Sequence, residues 1–322
     1  MAPAFAQSTL AQVKQRGGLN CGSSQGVPGF SIPDEKGYWT GLDVSYCRAI
    51  SAAIFNDPNK VKFVPLTSKD RFTAVQSGEV DVLVSTATWT MTRDTALGMN
   101  FGPVNYYDGQ GFMVRKKLGV DSAKKLEGAS VCVTQGTTTE LNLADYFRSN
   151  KMKYEAVVFS ATDESIKAYD SGRCDVYTTD SSGLYAQRLK LVNAEEHIVL
   201  PEIISKEPLA PAVRHGDDQW FDLVKWTHYA MLTAEELGVS KANVDEMLKS
   251  ENPEIKRLLG TEGKFGETIG LTNDWAYRII KQVGNYGEVF EANVGSGSRL
   301  KIARGVNALW SKGGLQYAPP IR

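Results

Sequence analysis

The sequence predicts an α/β fold made of two βαβ lobes that face one another, and three observations carry that prediction. Strand and helix patterns alternate from about residue 18 to residue 85, the alternation restarts after about residue 112, and one short motif recurs at the same point of both series. Alternation of this kind lays parallel strands side by side with helices packed on the sheet. At 322 residues the chain is long enough for two such units.

In the first series, 18–23 reads as a strand. Asp43 is expected to cap a helix whose inner stripe is Val44, Cys47, Ile50 and Ile54. Residues 61–66 alternate as a strand, Asp70 caps a helix carrying Phe72 and Val75, and 80–85 is the near-continuous apolar strand of a buried parallel sheet. In the second series, 130–134 is a strand followed by a helix with Leu141, Ala144 and Phe147 inward. Residues 154–159 form the next strand, before a helix with Ile166 and Tyr169, and 174–179 leads into a helix over 181–190. The C-terminal region reads as helices, with Trp275, Ile279 and Val283 on one stripe that packs on the first lobe.

The recurring motif is S-G-x-x-D-V: Ser77-Gly78-Glu79-Val80-Asp81-Val82, then Ser171-Gly172-Arg173-Cys174-Asp175-Val176. In each copy a helix ends at glycine and a buried strand follows. Those strands run out into polar groups, Ser85-Thr86 in one and Thr179-Asp180 in the other. Ligands of open parallel sheets bind beyond the carboxyl ends of the strands. Two similar sheets with polar strand ends therefore imply two half-sites across a cleft.

Three segments could carry the chemistry. The run Ser85-Thr86-Ala87-Thr88-Trp89-Thr90-Met91-Thr92-Arg93 offers hydroxyls, free backbone N–H groups and one guanidinium, a set that suits a carboxylate; a solvated loop with a surface arginine is the plainer reading. Gln135-Gly136-Thr137-Thr138-Thr139-Glu140 opens a helix, where unpaired N–H donors favour an anion. Plain capping by Thr137 or Thr138 uses the same helix end. Asp180 either accepts from a ligand ammonium or caps the helix beginning at Ser181.

Composition narrows the classes. Net charge is −1, so bulk electrostatics advertise no nucleic-acid or membrane partner. No apolar run approaches the ~18–20 residues of a membrane span. His197, His215 and His228 are scattered and no CxxC occurs, so no metal site is expected. No paired-carboxylate, Ser-His-Asp or Cys-His set is evident, which leaves no catalytic residue to name. Gly295-Ser296-Gly297 is a lone G-x-G without its fingerprint, and no cofactor is expected. Ala4-Phe5-Ala6 before Gln7-Ser8 has the small-x-small pattern left of a signal-peptidase cut, which points to an exported chain. Export permits disulfides, and the expected pairs are Cys21–Cys47 and Cys132–Cys174, against the alternative of four buried thiols.

At these segments the chain resembles extracellular solute-binding family 3, which serves polar amino-acid ABC transporters. The D-V-L-V-S-T-A-T-W-T-M-T-R run ending at Arg93, the Q-G-T-T-T-E run around Thr138 and the S-G-R-C-D-V-Y-T-T-D run ending at Asp180 occur in the family's order. Gly41-Leu42-Asp43-Val44 and residues 101–107 also look like the family, and the resemblance covers roughly residues 18–240. Val283-Gly284-Asn285-Tyr286-Gly287-Glu288 and Tyr317-Ala318-Pro319-Pro320 look like the C-terminal region of its general L-amino-acid binders.

The resemblance implies a type II periplasmic binding protein: two lobes joined by a two-strand hinge, crossed near 107–114 and 203–213, with the ligand in the cleft. Lobe 1 would comprise 1–110 and the return segment with its helical extension, 207–322; lobe 2 would be 111–206. Arg93, Thr88 and the backbone around Thr138 would hold an α-carboxylate. Asp180 and the Thr86 carbonyl would hold an α-ammonium. Side-chain choice would fall to Ser24 through Val27, Ser68 and Arg71, with a broad polar specificity including Glu, Asp and Gln. The implied partners are free L-amino acids and an inner-membrane ABC permease, the compartment is the periplasm, and the protein is a monomer.

Overall fold

The computed structural model describes residues 7–322, and the Ala4-Phe5-Ala6 segment lies outside them. The first unit runs β1 (Leu19–Ser23), α1 (Leu42–Phe55), β2 (Val61–Pro65), α2 (Arg71–Ser77), β3 (Val82–Leu83) and β4 (Met99–Phe101). A crossing strand, β5 (Tyr106–Asp108), leads into β6 (Gln110–Arg115), β7 (Ser130–Thr134), α3 (Thr138–Ser149), β8 (Glu155–Phe159), α4 (Thr162–Asp170), β9 (Val176–Asp180), α5 (Ser181–Arg188) and β10 (His197–Val199). The chain returns through β11 (Glu207–Leu209) and β12 (Ala212–Arg214) to α6 (Asp218–Glu236), with α7 (Trp275–Gln282) and α8 (Tyr286–Asn293) further on.

The two five-stranded sheets share one topology, β2-β1-β3-β12-β4 and β8-β7-β9-β6-β10. In each, three parallel strands lie beside one antiparallel strand that directly follows a hinge crossing, β12 after β11 and β6 after β5. The repeated motif explains the likeness atom by atom. Gly78 and Gly172 both take positive φ (77° and 88°) where their helices end. Asp81 Oδ2 accepts from Asn20 N (2.7 Å) and Asp81 N donates to Asn20 O. Asp175 Oδ2 accepts from Ser130 N (3.0 Å) and Asp175 N donates to Ser130 O. Each aspartate therefore clamps its strand to the first parallel strand of its own sheet.

Three local expectations are corrected. Asp43 does not cap α1; the N-cap position is Gly41, at φ 134°, where a Cβ would fall 2.0 Å from Phe30 O. A backbone entry that only glycine allows starts the helix, and Asp43 is left in the first turn, buried and pointing elsewhere. Asp70 stands at the head of α2 but makes no capping bond, because its carboxylate accepts from Thr67 Oγ1 instead (2.6 Å). On α3, Leu141 is 68% exposed and Ala144 is exposed; the inward stripe is Thr139, Leu143 and Phe147. That helix turns Thr139 into the lobe, which sets an i, i+4, i+8 row one step from the expected one.

Val44, Cys47, Ile50 and Ile54 are all buried on α1, and both expected disulfides form, Cys21–Cys47 and Cys132–Cys174. The first joins β1 to α1 and the second joins β7 to the segment entering β9. Trp275 and Ile279 are buried where α7 packs on α1, with Val283 partly buried against the same core.

Two antiparallel strands, β5 and β11, carry the chain between the sheets. The C-terminal region braces that crossing. Asn307 pairs with both backbone groups of Tyr107, accepting from its N–H (2.7 Å) and donating to its carbonyl (3.0 Å). Tyr286 Oη donates to Asn105 O (2.8 Å) and Gln316 Nε2 to Val104 O (3.1 Å). The amide of Asn307 acts as one more rung on the hinge ladder.

Candidate ligand-binding cleft

Between the lobes lies a cleft to which the carboxyl end of every parallel strand contributes. Ser24–Val27 follow β1, Leu66, Ser68 and Arg71 follow β2, and Ser85, Thr86 and Thr88 follow β3. Across from them stand Thr137–Thr139 after β7, Ala161–Asp163 after β8, and Asp180 at the end of β9. The lobes are closed on one another. Thr88 Oγ1 lies 3.3 Å from Thr138 Oγ1, and Lys190 Nζ donates across the gap to Gly26 O (2.6 Å). Gly136, at φ 74°, passes so near Lys69 that a Cβ there would lie 3.3 Å from its Cα.

Of the residues expected at the site, Ser24, Val27, Ser68, Arg71, Thr86, Thr88, Thr138 and Asp180 all line this cleft. Arg93 does not. Its Nη1 donates to Thr88 O (2.8 Å) and its guanidinium lies 4.8 Å over the Phe72 ring, with 7% of the residue exposed. Arg71 is the cation on the wall, its Nη1 bonded to Ser85 O (3.0 Å) and its guanidinium 5.1 Å from the same ring.

The capping alternatives resolve differently at the two helix ends. Thr137 caps α3, accepting from Glu140 N (3.1 Å), which leaves the Thr138 hydroxyl free to point across the cleft. Asp180 stands at the head of α5 yet accepts no bond from it. Asp108, from the crossing strand, takes that role through Ser182 N (3.3 Å) and the Ser182 hydroxyl. A carboxylate from the hinge thus relieves Asp180 of capping. Asp43 has a comparable part in lobe 1: it accepts Thr86 N–H (2.9 Å) and Asn105 Nδ2 (3.3 Å), holding the β3 loop against the hinge. Thr86 sits there at φ 42°.

The structure adds a residue that the sequence reading missed. Glu207, on the return strand and 1% exposed, accepts from Thr88 Oγ1 (2.5 Å) and Thr138 Oγ1 (2.8 Å) through one oxygen. Its other oxygen accepts from Asn142 Nδ2 (2.7 Å) and Ser205 Oγ (2.6 Å). One carboxylate therefore joins both lobes and the hinge. The available signal was a charged residue inside a segment read as a strand crossing between lobes, where charge is disfavoured.

Four carboxylates and two guanidiniums share this buried volume. Burial raises Asp43 to about 7 and Asp108 to about 6. Asp180 is pushed well above the usual carboxylate range by burial, then by Asp108 and Glu207, against the pull of Arg71 and Arg93. Burial, with Arg93 beside it, lowers Arg71 to about 9. Arg93 is lowered by burial, while Glu207 and Asp180 act to hold it charged.

Opposite pH dependences are expected from this cluster. A carboxyl raised in the folded state stabilises that state most below its unfolded pKa and loses the contribution as pH rises through the folded one. The ligand-free protein is therefore expected to lose thermal stability between pH 4 and 7. If Asp180 holds a ligand ammonium it must be ionised to do so, so affinity should rise with pH as Asp180 ionises, and binding should release protons. Calorimetry in buffers of different ionisation enthalpy reads both, and proton uptake on binding would contradict the assignment.

Two lobes of one topology, hinged by two strands and closed on a cleft of mixed charge, define a hinge-bending α/β binding protein. The sequence pattern of the bacterial extracellular solute-binding proteins, family 3, matches residues 19–243, and the chain belongs to that family. It is 62% identical to the general L-amino acid-binding periplasmic protein AapJ of Rhizobium johnstonii, over 100% of this chain and 95% of that one. It is 56% identical to the glutamate/glutamine/aspartate/asparagine-binding protein BztA of Rhodobacter capsulatus, over 100% and 96%. A solved ABC transporter periplasmic binding protein from Brucella ovis with glutathione bound superposes with a TM-score of 0.97, at 60% identity, covering 98% of this chain and 100% of that one. No described helix is long and apolar enough to cross a membrane.

Proposed function

We propose that this chain is the periplasmic binding protein of an amino-acid ABC transporter. It captures free L-amino acids of broad polar specificity, including Glu, Asp and Gln, delivers them to an inner-membrane permease as a monomer, and catalyses no reaction. One observation carries the reading: a carboxylate, Asp180, and a guanidinium, Arg71, line one interlobe cleft, with the Arg93 guanidinium buried behind its wall and each charge within electrostatic reach of the other sign. A zwitterion leaving water needs both of its charges matched. In this assignment Asp180 and the Thr86 carbonyl hold the ammonium. Arg93, Thr88 and the start of α3 at Thr138 hold the α-carboxylate, with Ser24 through Val27, Ser68 and Arg71 around the side chain.

The lobes in this reading are 1–110 with 207–322, and 111–206. A ligand touching both favours the closed state by its difference in affinity for closed and open forms, and that difference drives the hinge. The names of the Rhizobium and Rhodobacter relatives support free amino acids as ligands. The Brucella relative favours a second reading, in which the cleft also takes a γ-glutamyl compound.

Titration calorimetry across the twenty amino acids tests the proposal; absence of heat with every polar amino acid would end it. Arg71→Met should cost glutamate and aspartate at least tenfold more affinity than glutamine, because only the acids have a distal carboxylate for the guanidinium to meet. Equal losses for acid and amide would remove Arg71 from the side-chain pocket.

A further inference from the structure

The cleft wall carries buried polar atoms that no group among the described residues satisfies: Arg71 Nε, Tyr177 Oη and both the donor and the acceptor of the Gln187 amide. Gln187 is 1% exposed and Tyr177 fully buried. Buried polar groups are ordinarily paired, and an orphan on the wall of a binding cleft marks what its ligand supplies. The complement of a carboxamide that lacks both partners is another amide, which offers one N–H and one carbonyl.

An outer chamber adjoins the cleft. Gln25, Gly26 and Asp163 line both, and the outer chamber has about 350 Å³ against about 80 Å³ in the closed inner cleft. The outer walls present the apolar faces of Ile32 and Ile166 and the ammonium of Lys167, which is exposed on α4. Lys190 stands at the neck, bonded to Gly26 O on one lobe and to Asp163 Oδ1 (3.0 Å) on the other. With Asp163 half exposed, that ion pair is worth little and yields readily.

We propose that Gln187 and Lys167 are the side chains by which this cleft selects γ-amides of glutamate, whether glutamine or a γ-glutamyl peptide whose tail passes the neck into the outer chamber. Gln187 pairs with the γ-amide and Lys167 meets the tail carboxylate. A side chain that starts at Asp180 and Arg93 and runs along Ser24 through Val27 reaches the neck at Gln25 and Gly26, so the γ-substituent leaves where the chamber opens. The inference rests on the amino-acid-binding reading above, because the same groups would hold the α-ammonium and α-carboxylate.

Calorimetry with L-glutamate, L-glutamine, γ-glutamylglycine and glutathione tests it on the intact protein. All four should bind. Gln187→Leu should weaken the three γ-amides at least tenfold and glutamate less than threefold. Lys167→Met should weaken glutathione at least fivefold and leave free glutamate within twofold. Glutamate binding with neither peptide bound overturns the inference and leaves the transport reading standing, whereas no binding of any of the four sinks the reading beneath it. Equal losses for glutamate and glutamine in Gln187→Leu overturn the amide pairing. An unchanged glutathione affinity in Lys167→Met overturns the tail site.

Discussion

Arg93→Ala is expected to abolish high-affinity amino-acid binding, with affinity falling at least thirtyfold by calorimetry while the ligand-free protein stays folded. The guanidinium is held in place before any ligand arrives: Nη1 is fixed on Thr88 O, and the plane rests over Phe72. It is one of two cations that face Asp180 and Glu207 in the buried cluster. Without it, an incoming α-carboxylate meets Glu207 with Arg71 as the sole guanidinium in the cluster. Truncating one partner of a buried, hydrogen-bonded charge pair costs about 2–5 kcal/mol, or roughly thirtyfold to several thousandfold in affinity.

Arg93→Lys should fall between wild type and alanine, since an ammonium keeps the charge but not the fork that reaches Thr88 O and a carboxylate together. Affinity within threefold of wild type in Arg93→Ala would refute the role. The position of Arg93 off the cleft lining sharpens the comparison with Arg71. If binding survives Arg93→Ala and is lost in Arg71→Met, the α-carboxylate belongs to Arg71, the guanidinium that the closed cleft exposes.

The parts of this molecule that were legible in the sequence are those set by short-range pattern. The S-G-x-x-D-V repeat located both sheets because its glycine and aspartate do the same backbone work twice, ending a helix at positive φ and clamping a strand. Strand ends rich in hydroxyls pointed to the cleft because parallel sheets offer their carboxyl ends to ligands. The misses share a different physical origin. Leu141, Ala144 and Phe147 have the spacing of an inward row, yet the phase of α3 is set by Thr137 capping its first turn and Thr139 turning inward. Asp43 and Asp108 are local in sequence to helix and hinge, but their partners, Thr86 and Ser182, lie 43 and 74 residues away. Glu207 meets Thr88 and Thr138 across 119 and 69 residues, and no periodicity encodes a meeting of that range.

Glu207→Leu tests whether that long-range carboxylate holds the clamp shut. Leucine replaces most of the side chain's volume, so the loss is electrostatic. Thr88, Thr138, Asn142 and Ser205 each lose the acceptor they share, and Arg93 loses a buried countercharge. Breaking a buried pair from one side destabilises by about 3–5 kcal/mol. At roughly 2–4 °C per kcal/mol, the melting temperature of the ligand-free protein should fall by about 6–20 °C. Glu207→Gln should fall less, because its amide oxygen still accepts from two of the four donors.

The bonds also span the hinge, from Thr88 on one lobe to Thr138 and Asn142 on the other. The leucine variant should therefore populate the open form more than wild type does without ligand, giving a larger radius of gyration by small-angle scattering, and saturating L-glutamate should remove the difference. A ligand carboxylate seated on the same two threonine hydroxyls would supply the acceptor that Glu207 provides. That equivalence makes a specific demand: the stability gained on adding glutamate should be greater in Glu207→Leu than in wild type once each is corrected for its own affinity. Equal gains, with unchanged melting and scattering in the empty variant, would mean that the threonine bonds to Glu207 contribute nothing to closure.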